Sequence, residues 1–287
     1  MRALIPAAPA RQRGFTLVEL ILVIVLSAVV GAMVSSVLSR PLEGFVAQSR
    51  RAELVDIGAG ALNRMQRDIR MAVPGSLRIS GDGQALELLL IHSGGRYLPN
   101  RADGVSLNFS AAPDAQCNGP QVAGVPACDV LQVFDPDLAP PAAGWLVVAS
   151  NPFSWVVSNP GNITPTGTSF TRLADSVDYP GISLIRVTPP GGNFAFAAAS
   201  AQRRIYFADR VVGYRCSGGQ LLRYEHDQLQ AALPATLPAT GRLQADRVES
   251  CSFGYASASG LATLRLTIGA AGDSVRLAQQ VQVNNAP

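Results

Sequence analysis

Residues Arg11–Val34 read RQRGFTLVELILVIVLSAVVGAMV, and their reading decides the rest of the chain. Two arginines flank Gly14 and Phe15, a single glutamate follows at Glu19, and the next charge is Arg40. Twenty uncharged residues separate Glu19 from Arg40, rich in Leu, Ile and Val. At about 1.5 Å per residue, a helix over Phe15–Val37 is roughly 35 Å long, enough for a hydrocarbon core of about 30 Å. A lone carboxylate in such a segment costs about 2.5–3.5 kcal/mol at the bilayer centre and less near its edge. Glu19 therefore reads as a functional residue. The flanking arginines favour the cytoplasmic side for Gly14.

An ordinary secretory signal has an apolar region of about 7–15 residues that ends at a small-residue cleavage site. The run here is longer, and Ser27-Ala28-Val29 and Gly31-Ala32-Met33 are poor sites of that kind. Arg11-Gln12-Arg13-Gly14-Phe15-Thr16-Leu17-Val18-Glu19-Leu20 instead resembles the prepilin cleavage and methylation motif of type IV pilins and type II secretion pseudopilins. The resemblance implies that a membrane-embedded aspartyl peptidase, the prepilin peptidase, cuts Gly14–Phe15 and N-methylates Phe15. Glu19 then becomes the fifth residue of the mature chain. Cleavage creates an ammonium at Phe15, one helical turn from Glu19, so the two charges can pair within a chain. In a helix bundle the same ammonium can equally meet the carboxylate of a neighbouring subunit.

Composition points to an exported protein. The formal charge of +3 is carried by the leader, because removing Met1–Gly14 takes away Arg2, Arg11 and Arg13. The formal side-chain charge of the remainder is 0, which gives no reason to invoke nucleic acid. Four cysteines suit an oxidising compartment. Three connectivities are open to them. The expected one is local, with Cys117–Cys128 and Cys216–Cys251 as disulfides, the shorter loop worth roughly 3 kcal/mol on the chain-entropy account. A metal site is not expected, since no CxxC occurs and His92 and His226 lie far from any cysteine pair. No cofactor is expected.

Beyond the apolar run, Leu54, Ile57, Ala61, Leu62, Met65 and Ile69 recur at three- and four-residue spacing. That stripe predicts an amphipathic continuation packed on the chain's own sheet. Pro41 predicts a kink or local opening, Gly58 and Gly60 weaken the helix, and Pro74-Gly75 ends it. Strands are predicted at Ala85–His92, Val130–Phe134, Trp145–Ala149, Phe153–Val157, Ile182–Val187, Arg204–Tyr214, Gln220–Tyr224, Val248–Tyr255, Leu261–Ile268 and Val275–Val283. Hairpins join Val211–Cys216 to Gln220–Tyr224 through Ser217-Gly218-Gly219, and Leu261–Ile268 to Ser274–Val283 through Gly269–Asp273. The expected class is α+β: a long N-terminal helix, membrane-spanning in its first half, packed on an antiparallel pilin-like sheet domain with long loops. The expected divisions are a leader (1–14), an assembly helix (15–39), its amphipathic continuation (40–73) and a β-rich domain (75–287), large enough for an independent core.

The later chain extends the resemblance. Arg40–Arg70, Val211–Tyr224 (VVGYRCSGGQLLRY), Val248–Tyr255 (VESCSFGY) and the ending Gln280–Pro287 are similar to the MshO subgroup of minor pilins, which belongs to the mannose-sensitive haemagglutinin (MSHA) type IV pilus. The resemblance implies a subunit that primes or caps a pilus used in adhesion. Its implied partners are other minor and major pilins and the inner-membrane platform. Its implied location is the bacterial inner membrane, single-pass with the C-terminal domain in the periplasm, and then the cell-surface pilus. A J-type minor pseudopilin of a type II secretion system shares the N-terminal chemistry, and a membrane-anchored periplasmic enzyme is the third reading. No catalytic residues are assigned: GxSxG, HExxH, P-loop and dinucleotide fingerprints are missing. His92 is read at a strand end and His226 as a solvated imidazole in a turn. Asp135-Pro136-Asp137 reads as a turn rather than a calcium loop. Leu237–Gly241 mimics a sorting motif inside a proline-rich duplication, and Asn108-Phe109-Ser110 and Asn162-Ile163-Thr164 mimic glycosylation sequons without consequence in a bacterium.

Overall fold

The apolar run and the amphipathic stripe are carried by one helix, α1 (Leu17–Arg70). The computed structural model describes residues 14–112, 114–117, 121–122, 125–126, 128–148, 153–173, 180–234 and 241–283, with backbone alone at 38–43, 121–122 and 125–126. The chain divides into Met1–Ala52 and Glu53–Pro287, and α1 contributes to both. Helix assignment runs through Pro41 without interruption, so the local opening expected there is not found. A proline removes one hydrogen bond, and the neighbouring turns carry the rest.

The strands are β1 (Arg78–Ile79), β2 (Ala85–Leu98), β3 (Asn108–Ser110), β4 (Gln121–Val122), β5 (Val125–Pro126), β6 (Val130–Val133), β7 (Ala143–Val148), β8 (Thr168–Arg172), β9 (Ser183–Thr188), β10 (Asn193–Ala195), β11 (Arg204–Ser217), β12 (Gln220–His226), β13 (Arg242–Ala245), β14 (Val248–Ala256), β15 (Leu261–Ala270) and β16 (Asp273–Gln282). The named pairings are all antiparallel.

Two long strands, β2 and β11, form the spine. They pair from Ala85–Arg215 to Arg96–Arg204, and bulges interrupt the register around Ala208. At one end the spine widens into the open order β1-β2-β11-β12-β13. At the other, the pairings β2–β6, β6–β9, β9–β8, β8–β7 and β7–β11 return to the starting strand and close a six-stranded barrel. Closure removes the free edges that an open sheet of these strands would have. Tyr97, Val133, Leu146, Ile185, Ile205 and Phe207 fill this barrel core. The stretch Gly94–Gln202 builds most of it.

The open end carries the stripe. Leu54, Ala61, Leu62, Met65 and Ile69 are buried, with Ile57 partly so, against Leu86, Leu88, Val212 and Tyr214 of the spine and against Leu264, Leu266 and Ile268 of the β14-β15-β16 sheet. Gly58 is the point of closest approach: a Cβ there would lie 2.4 Å from Leu277 Cδ1. The glycine that weakens the helix thus seats it on β16. A third cluster, with Val73, Leu89, Trp145 and Val211, packs the opposite face of the spine.

Several expectations need correction. The helix ends at Arg70, before Pro74-Gly75, because the next residues pair with β2: Val73 N donates to Leu89 O at 2.8 Å and Ile91 N to Met71 O at 2.8 Å. Phe153–Val157 is not a strand. Its Phe153 and Trp155 rings meet edge to face at 5.6 Å, and both pack on the third cluster. The hairpin loop expected at Gly269–Asp273 shrinks to the two residues Ala271 and Gly272, both with positive φ (51° and 86°), since Ala270 pairs with Asp273. Two positive φ values make a tight turn whose twist suits the flanking strands. The Ser217–Gln220 hairpin turns on Gly218 and Gly219 as expected.

Candidate functional site

Thr16 immediately precedes α1, and its Oγ1 accepts the backbone N–H of Glu19 at 3.3 Å. This is half of a capping box, in which Thr or Ser at the N-cap is followed three residues later by Glu. The Thr16-x-x-Glu19 spacing was visible in the sequence, and the reading above missed it. Glu19 also lies in the first turn of α1, where a carboxylate complements the helix dipole. The residue that is costly in lipid therefore has a local reason to sit at this depth. Gly14 stands before the cap, and a Cβ there would meet nothing within 4 Å.

From Leu17 to Val37 the helix has a mean hydropathy of 2.8 and none of its residues is buried. It is long and apolar enough to cross a membrane. Its large side chains, among them Leu20, Ile24 and Met33, are exposed.

The polar residues of the β domain form two clasps. On the helix side, Asp68 accepts Tyr214 Oη at 2.6 Å and Arg223 Nε at 2.8 Å, and Arg223 continues to Glu225. Gln66 meets Gln279 of β16, and Glu53 meets Arg247 at 3.0 Å. Burial, reinforced by the Asp68 charge, pushes the Tyr214 hydroxyl well above its ordinary range. On the opposite face Glu87 is fully buried and accepts Arg78 Nη2 at 2.5 Å, Tyr224 Oη at 2.9 Å and His226 Nε2 at 3.3 Å. Burial opposes its ionisation, but the bonds from His226, Arg78 and Tyr224 and the Arg78 charge outweigh that and hold the carboxyl below its ordinary value. Arg78 also lies 3.9 Å from the Trp155 ring centroid and donates to the carbonyls of Gln230 and Ala231. Gly213 pairs with Glu87 on one side and Tyr224 on the other. A Cβ at Gly213 would stand 2.1 Å from Tyr224 Cζ, so its absence lets the phenol cross the strand to the carboxylate.

The two histidines are both placed differently from expectation. His226 is mostly buried, stacked on Tyr224 at 6.2 Å and bonded to Glu87, rather than solvated. His92 lies inside β2, not at its end. It falls in the bulge opposite Asp209, 3.2 Å from Oδ2. Asp209, Arg223, Glu225 and His226 line a cleft of about 490 Å³. Four of its charges pair with one another, Arg210 with Asp209 at 3.0 Å and Arg223 with Glu225.

Cys117–Cys128 and Cys216–Cys251 are disulfides, in the local connectivity expected. Arg101 Nη1 lies 3.7 and 3.8 Å from the Cys117 and Cys128 sulfurs and 2.5 Å from Asp114. Asp114 and those sulfurs are also close enough to hold a metal, but the sulfurs are joined to each other and the space beside them holds a guanidinium. Cys216–Cys251 ties β11 of the large sheet to β14 of the small one. Replacing both cysteines by serine is expected to cost about 3–4 kcal/mol on the chain-entropy account for a 35-residue loop. A urea midpoint under non-reducing conditions measures it, and an unchanged midpoint would show that packing alone holds β14. Asp135 Oδ1 accepts Asp137 N at 3.0 Å, a turn as expected. The sorting-motif mimic at Leu237–Gly241 falls largely outside the described residues.

A glycine thus precedes a capped, membrane-capable helix with a glutamate in its first turn, followed in the chain by an antiparallel sheet domain. The family model of the prokaryotic N-terminal methylation motif matches residues 9–35. That match supports a type IV pilin or pseudopilin and includes Gly14, Phe15 and Glu19. No curated protein and no solved structure gives a significant match to the chain.

Proposed function

We propose that this chain is a minor pilin of an MSHA-like type IV pilus, a structural subunit that acts in pilus assembly and surface adhesion. Prepilin peptidase cuts Gly14–Phe15 and methylates Phe15. The mature subunit waits in the inner membrane on Leu17–Val37, with its β domain in the periplasm, and then joins other pilins through the assembly platform. The observation that carries this reading is the methylation motif at residues 9–35 on a helix whose apolar span has a mean hydropathy of 2.8 and no buried residue. Outside a membrane such a helix is stable only against other apolar helices. The similarity of the ending Gln280–Pro287 and of the stretch after Pro41 to MshO-type subunits favours the pilus over a secretion pseudopilus.

Deletion of the gene, scored by electron microscopy for pili and by assay of the medium for exoproteins, tests the assignment. Loss of pili with normal secretion is the expected result. Exoproteins trapped in the periplasm beside intact pili would make the chain a J-type pseudopilin instead. Glu19 gives a finer test. Glu19→Ala is expected to enter the membrane and be processed, yet to be depleted from sheared pili, because the Phe15 ammonium has lost its partner. Recovery of the variant in pili at the unmodified level would remove Glu19 from assembly.

A further inference from the structure

The β14-β15-β16 sheet has one edge that the molecule covers and one that, among the described residues, pairs with no further strand. On the β14 side, Phe253 N donates to Gly83 O at 2.8 Å, Val248 N to Gly219 O at 2.9 Å, and Cys251 is bonded to Cys216. On the other side β16 pairs with β15 over all ten of its residues and, among the described residues, with no further strand. The hairpin's tight turn determines which backbone groups face outward. Ala270 and Asp273 close a two-residue loop, so they form a hydrogen-bonded pair, and such pairs alternate with non-bonded ones along the ladder. Asp273, Val275, Leu277, Gln279 and Val281 bond to β15. The N–H and C=O groups of Ser274, Arg276, Ala278, Gln280 and Gln282 point away from it. Gly269 N donating to Arg247 O and Val283 N donating to Gly260 O fit the same alternation.

An exposed edge of this length normally carries a proline, a lysine, a bulge or an inward charge that deters pairing. β16 has no proline or lysine, and its register with β15 contains no bulge. The side chains of its five outward-bonding residues are exposed, and Arg276 is the only charge among them. On the same face β15 adds the exposed Arg265. Glu249 of β14 reaches over Gly269 at the turn end. We infer that the free edge of β16 is a strand-addition site for another pilin-type subunit, whose extended segment carries acidic side chains facing Arg265 and Arg276. A second copy of this chain would bring the same two arginines, so a different subunit fits the charge better. Backbone hydrogen bonds along the edge supply affinity, and the arginines supply selection.

This inference rests on the pilin assignment, and its test separates the two. Ala278→Pro removes one outward N–H and leaves the β15 ladder intact, since proline is tolerated on an edge where the N–H faces solvent. The full chain is expressed in the deletion strain with Gln280 replaced by the photo-cross-linking residue p-benzoylphenylalanine. The expected result is an adduct with a different pilin-type subunit that is lost on combination with Ala278→Pro or Arg276→Glu. Arg276→Glu keeps the backbone and decides the matter if the proline variant fails to accumulate as a disulfide-bonded protein. No adduct, an adduct with a second copy, or an adduct that survives both substitutions would overturn the inference. The pilin assignment fails separately, if deletion of the gene leaves piliation unchanged.

Discussion

Gly14→Glu is expected to leave the protein in the membrane at full length, with all fourteen leader residues attached. The substitution does not disturb the fold, because a side chain at Gly14 meets nothing within 4 Å and the Thr16 cap lies beyond it. Its effect falls on the peptidase, whose cleft must close on the backbone at Gly14–Phe15 and would have to accommodate a charged side chain there. Without cleavage Phe15 has no free amine, so it cannot be methylated, and Glu19 gains no ammonium partner. The Glu19 charge then stays uncompensated in an apolar segment, at up to about 2.5–3.5 kcal/mol if it lies at depth. Loss of processing and absence from pili should therefore occur together. Intact-mass measurement of the membrane fraction reads the first and shearing of pili the second. A product of normal mature mass would overturn the proposed scissile bond.

Glu87→Ala is expected to destabilise the β domain by about 3–5 kcal/mol, the range for breaking a buried ion pair from one side. The Arg78 guanidinium stays behind, mostly buried, with carbonyls and the Trp155 face as its remaining partners. Tyr224 and His226 each lose an acceptor. Gly213→Ala should act on the same unit from the other side, since its methyl would displace the Tyr224 ring. The two substitutions are coupled and should not add. A pH signature accompanies them. Glu87 has a folded-state pKa below its ordinary value of 4.5, so as pH falls the unfolded chain takes up the proton first. The stability it contributes is complete above about 4.5 and is lost as pH falls through the folded-state value. Glu87→Ala should therefore narrow the gap between stability at pH 7 and at acid pH. Urea unfolding of the wild type and the variant at both pH values measures this, and parallel pH profiles would show that Glu87 is not part of the acid response.

The helical stripe was legible because its period is local: Leu54 through Ile69 name one face of a helix wherever the sheet lies. Strand positions along the spine and the C-terminal hairpin were legible for the same reason, through short apolar runs and, over Thr263–Ile268, alternation of polar and apolar residues. The barrel was not. Its closure depends on β7 meeting β11 and β6 meeting β2 across many intervening residues, and no local pattern records which edge a short strand will choose. Phe153–Val157 has the composition of a strand but packs its rings on a finished sheet instead. His226 read as solvated because Glu225 and Asp227 flank it, whereas its real neighbours, Glu87 and Tyr224, come from pairings across Gly213.

By itself the sequence determined the membrane-capable helix, the methylation motif around Gly14, Phe15 and Glu19, the buried stripe and the antiparallel class, all properties of residues within a few turns of one another. Tertiary structure alone decided the remainder. The six-stranded barrel, the burial of Glu87 behind Arg78, Tyr224 and His226, the use of Gly58 and Gly213 as close-approach points, and the uncovered edge of β16 arise only when distant segments meet. Their physical basis is exclusion of water and space by groups that sequence separation does not bring together.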